Sequence, residues 1–290
     1  MKKLILITLT ILGLLFQLSK SATAQQKSYT IQNIKFENAG ITLSGSLFLP
    51  KKPKAALVLI HGSGQEKRMT KFAIDLANQD IAVFTYDKRG VGESGGKYAG
   101  PEVGTNNIDS ANLELLSDDA ATACKTLAQQ LPNGKLPLGL MGVSQAGWII
   151  PMAAAKTNLV KFMVIYSGPV VTTLEQLRFQ FYTNGDVKFW ESHNEADALE
   201  HIHNDADRYQ FTTTDPMKTL AKLNIKGLWI FGAQDIQIPV ALCVNNLKML
   251  QAQGKPYEYF IYPELGHNTA FLKSTSTIDK AISWIKKNYR

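Results

Sequence analysis

From Ala55 onward the chain alternates short, continuously apolar runs with stretches of helical periodicity, and this alternation restricts the fold more than any other feature. The apolar runs are Ala55 to Ile60, Ile81 to Tyr86, Leu138 to Gly142, Phe162 to Ser167, Gly227 to Phe231 and Tyr257 to Ile261. Helical spacing runs over Phe72 to Asn78, Leu113 to Leu131, Gln145 to Lys156, Val240 to Gln251 and Ile278 to Asn288. A strand that is apolar on both faces has to be covered on both, and the crossover helix of a parallel return does this. The expectation is an α/β fold: a mostly parallel central sheet with helices on both faces. Two earlier strands, Ile31 to Phe36 and Ile41 to Leu49, precede this rhythm and read as antiparallel.

The interval 170–223 breaks the rhythm. It is polar, carries His193, His201 and His203, and mixes Phe179, Phe181, Tyr182, Phe189 and Trp190 with many acids. It reads as a helical cap inserted between two strands, its aromatics lining a ligand pocket or forming a small core of their own. His193, Asp197 and His201 stand at i, i+4 and i+8, the spacing of one helix face, which raises a metal site. A solvated acidic face explains the same residues, and no metal is expected.

The first two dozen residues differ from the rest. Lys2 and Lys3 precede an apolar run from Leu4 to about Leu18, and Ser21-Ala22-Thr23-Ala24 gives the small-x-small pattern that a signal peptidase accepts. The run falls short of the ~20 residues that span a bilayer. The reading is therefore a signal peptide over 1–24, a mature α/β domain over 25–290 in the periplasm or outside the cell, and no stable membrane anchor after cleavage. The formal charge of +7 falls when Lys2, Lys3 and Lys20 leave, with 28 basic against 24 acidic residues remaining, a net +4. No basic run interleaved with aromatics is present, so no nucleic-acid partner is expected. Cys124 and Cys243 are compatible with a bridge in an oxidising compartment or with two buried thiols.

Chemistry enters at Leu138-Gly-Leu-Met-Gly142-Val-Ser144-Gln-Ala146-Gly147, where a serine stands between small residues as a buried strand hands over to a helix. A nucleophile elbow needs this context, because small neighbours let the turn close while the hydroxyl projects above the sheet. The usual last position of Gly-x-Ser-x-Gly is Ala146 here. A serine hydroxyl requires a base to take its proton and an acid to orient that base. Asp235 follows the strand ending near Gly232, and His267 follows the strand Tyr257 to Ile261, in the order Ser, acid, His. Asp186 or Asp215 are alternative acids, Asp235 could instead cap a turn, and Ser144 could be an ordinary helix-start serine.

With these residues in place the chain resembles the α/β-hydrolase family, in its bacterial secreted serine esterase and acyl-peptidase-like branch. That branch carries His-Gly-x-Gly and Asp-x-Arg-Gly-x-Gly-x-Ser, which stand here as His61-Gly62-Ser63-Gly64 and Asp87-Lys88-Arg89-Gly90-Val91-Gly92-Glu93-Ser94. The resemblance spans nearly the whole mature chain. It implies that Ser63 and Gln145 supply the two oxyanion-hole amides, where charge develops on the carbonyl oxygen. His61 reads as structural, and Asp87 with Arg89 as a turn-bracing ion pair.

The expected function is cleavage of carboxylic esters of small or medium acyl groups through an acyl-enzyme, with catalytic Ser144, Asp235 and His267 and a small-molecule substrate. No dinucleotide fingerprint is present and no cofactor is expected. A peptidase or amidase of the same fold would use the same residues, and a non-catalytic binding protein would keep the fold without turnover.

Overall fold

The computed structural model describes residues 29–98, 107–131, 136–205 and 211–289. The segment 1–24, expected to be a signal peptide, lies outside the described residues.

The chain opens with a hairpin of β1 (Tyr29–Asn38) and β2 (Ile41–Pro50). Ala39 and Gly40 turn it with φ of 50° and 71°, the double positive φ of a type I′ turn, whose twist matches that of the flanking strands. Then follow β3 (Ala55–Ile60), α1 (Thr70–Ala77), β4 (Ile81–Tyr86), α2 (Ser110–Gln130), β5 (Leu138–Val143), α3 (Ala146–Ala155) and β6 (Val160–Tyr166). After β6 come α4 (Thr173–Thr183), α5 (Phe189–Ser192), α6 (Glu195–Asn204) and α7 (Pro216–Leu220). The chain closes with β7 (Lys226–Gly232), α8 (Val240–Ala252), β8 (Tyr257–Tyr262) and α9 (Ser276–Asn288).

The eight strands form one sheet in the order β1-β2-β4-β3-β5-β6-β7-β8. Only the β1/β2 and β2/β4 pairs are antiparallel; every later pair is parallel. This is the α/β-hydrolase fold, with helices on both faces. Every residue of β3, β4 and β5 is buried, the physical reason those runs are continuously apolar rather than alternating.

The pleat sends Ala56, Val58 and Ile60 of β3 to the face covered by α2, α3 and α8, and Ala55, Leu57 and Leu59 to the face covered by α1 and α9. Strand β7 divides likewise, Trp229 and Phe231 to the first face and Leu228 and Ile230 to the second. Gly139 in β5 leaves room for the Phe162 ring: a Cβ there would stand 2.3 Å from it. Cys124 and Cys243 are free and fully buried on the α2/α8 side, and burial pushes both thiols up, away from reactivity.

The insertion between β6 and β7 carries its own helix signals. Thr172 and Glu175 form a capping box at the start of α4, and Asn194 and Asp197 form another at α6. Phe179, Ala198 and Ile202 make a small apolar cluster with Tyr182, Trp190 and Leu242 against it.

Candidate active site

Four loops, at the carboxyl ends of β3, β5, β7 and β8, meet at one cleft, the place where open α/β sheets bind ligands. Strand β5 ends at Val143 and α3 begins at Ala146, leaving two residues for the reversal. Ser144 takes a φ of 52°, a left-handed conformation that costs a non-glycine residue on the order of 1–3 kcal/mol and persists only where packing enforces it. The enforcement is visible: Ser144 N donates to Tyr166 O at 2.9 Å and Gly147 N to Ser144 O at 2.8 Å. A Cβ on Gly142 would stand 2.5 Å from Ala146 Cβ and 2.6 Å from the Ile60 carbonyl, and one on Gly147 would meet Pro169 at 2.5 Å. The elbow closes because these neighbours are small.

Asp235 lies in the turn after β7 and is 1% exposed. Its Oδ1 accepts from the amides of Gln237 (2.7 Å) and Ile238 (3.0 Å), which leaves Oδ2 facing His267 Nδ1 at 2.8 Å. It therefore caps its own turn and holds the histidine at once. The rival acids are engaged elsewhere. Asp186 accepts from Lys188 N, and Asp215 caps α7 through Met217 N.

Ser144 and His267 line the same cavity of about 340 Å³ together with Ser63, and Val143, Tyr166 and Phe271 supply apolar wall. Ser144 Oγ makes no hydrogen bond among the described residues. Contacts of this kind tighten when substrate enters.

The loop after β3 forms the opposite wall. Lys88 is 2% exposed, yet its Nζ donates to Gly62 O (2.6 Å), Gln145 Oε1 (2.9 Å) and Gly64 O (3.3 Å). Burial lowers its pKa to about 8 against the pull of Glu66, which favours the ammonium. Glu66 accepts from Gly62 N at 3.3 Å, and burial raises its carboxyl. His61 sits edge-on to Tyr86 with ring centroids 5.1 Å apart. Burial, aided by the Lys88 charge, lowers its pKa to about 3, so it is a neutral structural residue.

A family model described as "Serine aminopeptidase, S33" matches residues 51–216, more than half of the chain. The chain belongs to this serine aminopeptidase family. The matched span includes the loop after β3 and Ser144 and stops short of Asp235 and His267. Solved structures agree on the fold. An esterase of Pyrococcus furiosus superposes with a TM-score of 0.66 at 14% identity, covering 93% of this chain and 95% of that one. An acylaminoacyl peptidase of Pyrococcus horikoshii gives 0.64 at 14% identity, covering 95% of this chain but 42% of the larger protein. No curated protein matches in sequence.

Three expectations about this family member need correction. Asp87 and Arg89 do not pair with each other. Asp87 pairs with Arg68 at 2.8 Å; burial alone would raise its carboxyl, but hydrogen bonds from Arg68 and two backbone amides hold it at about 2. Arg89 reaches Asp119 on α2 instead. Second, His193, Asp197 and His201 do not share a helix face, because α6 starts at Glu195 and His193 is extended before it. His193 stacks on Phe189 and His201 on Tyr182, and no group of three or more metal-ligating side chains stands among the described residues. Third, the insertion's aromatics do not line the Ser144 cavity. They pack on one another, as the alternative reading had it, and Phe181 is 59% exposed.

The insertion grips the acid turn instead. Trp190 Nε1 donates to Asp235 O (3.0 Å), Thr183 Oγ1 to Ile236 O (2.7 Å) and Gln176 Nε2 to Gln237 O (3.0 Å). Sequence reasoning missed these three residues and Lys88. No local pattern in the sequence singles out their polar atoms for these partners.

Proposed function

We propose that the protein is a serine esterase acting on small or medium acyl groups. Ser144 is the nucleophile, His267 takes its proton and returns it to the leaving alcohol, and Asp235 holds the histidine through Nδ1. The amides of Ser63 and Gln145 receive the developing oxyanion, and water releases the acid from the acyl-enzyme. The observation that carries the reading is the 2.8 Å contact of His267 Nδ1 with a fully buried Asp235, in the cavity that a left-handed Ser144 also enters. The apolar wall of a 340 Å³ cavity suits a short acyl chain.

The family description supports a second reading, hydrolysis of peptide or aminoacyl amide bonds by the same residues. A panel of chromogenic esters of graded acyl length beside aminoacyl amides decides between them: the ester reading expects kcat/KM for short-chain esters to exceed that for every amide. A folded chain without turnover on either would favour the binding-protein alternative.

The same proposal includes export through the segment 1–24, a mature domain over 25–290 with its cap at about 170–223, and action in the periplasm or outside the cell. Its partner is the small substrate, with no nucleic acid and no cofactor. No helix among the described residues is long and apolar enough to cross a membrane.

A further inference from the structure

We infer that Lys88 is a positioning residue for the oxyanion hole, its buried ammonium tying the loop that carries Ser63 to the elbow residue Gln145 so that both backbone amides are aimed at one point. The inference rests on the esterase reading and adds a residue that the reading does not use.

A lysine ammonium has three donors and no acceptor. Here all three find uncharged oxygens: Gly62 O, Gly64 O and Gln145 Oε1. No carboxylate touches Lys88 directly among the described residues; Glu66 acts on it only through space, and its hydrogen bonds all go to neutral oxygens. Its placement has a direct consequence for the hole. The peptide that joins Gly62 to Ser63 is planar, so a donor bound to the Gly62 carbonyl fixes the direction of the Ser63 N–H, which points the opposite way. The cation also polarises that peptide and strengthens the N–H as a donor.

On the other side, the Gln145 side chain is held at both ends, Oε1 by Lys88 and Nε2 on Asn107 Oδ1 at 2.9 Å. The backbone amide of Gln145 makes no hydrogen bond among the described residues and is available to a ligand. The loop is braced further by Tyr98, whose hydroxyl donates to Ser63 O at 2.6 Å and whose ring lies 5.7 Å from Lys88 Nζ. One side chain thus connects the loop that carries Ser63 to an elbow residue 82 positions further along the chain.

The test uses the full chain with 4-nitrophenyl butyrate. Lys88→Met keeps the aliphatic stem and removes the charge. A misaimed hole weakens transition-state binding alone, so kcat should fall on the order of 100-fold with KM within about threefold. Fluorophosphonate labelling of Ser144 should slow by a similar factor, and Gln145→Met should add less than its own effect to Lys88→Met. A measurement on the unsubstituted protein covers the case in which the variant does not fold. The charged and titratable groups around Lys88 are Glu66, the neutral His61, the Arg68-paired Asp87 and the Tyr98 ring. Burial brings Lys88 down to about 8, so kcat should decline as pH rises through that value, with circular dichroism unchanged. A folded Lys88→Met with kcat within threefold, a rise in KM at constant kcat, or a flat kcat from pH 7.5 to 10 overturns the role of Lys88 while labelling at Ser144 leaves the esterase reading standing. Failure of fluorophosphonate to label Ser144 in the unsubstituted protein overturns both.

Discussion

Trp190 Nε1 donates a 3.0 Å hydrogen bond to the carbonyl of Asp235, so a side chain of the helical insertion holds the backbone of the residue whose carboxylate holds His267. With Thr183 and Gln176 on the next two carbonyls, the insertion fixes three consecutive peptides of the acid turn. Trp190→Phe keeps the ring and deletes the donor. A net hydrogen bond is worth about 0.5–1.5 kcal/mol, so kcat should fall about threefold to tenfold and the preference for acyl length should stay as it was. Kinetics on a graded ester series checks this. A changed length preference would mean that the insertion reaches the substrate.

Phe271 bears on length preference instead. It is half exposed, packs edge-on against Phe72 at 5.5 Å, and lines both the Ser144 cavity and a neighbouring one of about 410 Å³. Phe271→Ala should join the two and move the preference towards longer acyl chains, at little cost in stability because the ring is half in solvent. Relative kcat/KM across the same series, with a thermal melt alongside, tests it.

The elbow predicts an asymmetry between two small residues. Gly142→Ala would force a Cβ against Ala146 and the Ile60 carbonyl, which should destabilise the fold by about 1–3 kcal/mol and reduce turnover. Ala146→Gly removes a methyl from that contact and should remain folded, with ester turnover changed by less than ~10-fold. Urea unfolding of both variants provides the comparison. Equal damage from the two would mean that the turn is not limited by this contact.

His61 sets part of the acid stability. The folded protein keeps it neutral down to about pH 3, while the unfolded chain takes up a proton near the ordinary value of 6.5. The unfolded state therefore binds more protons between those limits, and stability is full above pH 6.5 and drains away as pH falls towards 3. His61→Gln should flatten the fall in melting temperature between pH 6.5 and 4. An unchanged slope would show that other groups govern it.

The sheet was legible because doubly buried strands leave continuous apolar runs, and every expected run from Ala55 to Ile261 falls within an observed strand or one residue of it. That Ser144, Asp235 and His267 come together was legible for a different reason: each follows a strand end, and strand ends of a parallel sheet converge. The partners of Asp87 and Arg89 were not, because Arg68 and Asp119 reach them from distant segments and nothing local favours those pairs over the nearer one. The insertion misled for a related reason. Aromatics on short helices carry no sign of whether they face a cavity or one another, and only the packing of Phe179 on Phe189 and Trp190 decides it.

The central claim concerns one oxygen atom, and active-site labelling addresses it directly. The protein is treated with a fluorophosphonate, digested and mapped by mass spectrometry, with ester turnover measured on the same samples. If His267 and Asp235 activate Ser144, the adduct forms on Ser144 alone and other serines stay unmodified, because the tetrahedral adduct uses the base and oxyanion donors of the ester transition state. Ser144→Ala should abolish labelling and turnover together, His267→Ala should cost nearly as much, and Asp235→Asn should be severe but milder. An unlabelled Ser144 in a folded protein that still cleaves esters would contradict the account.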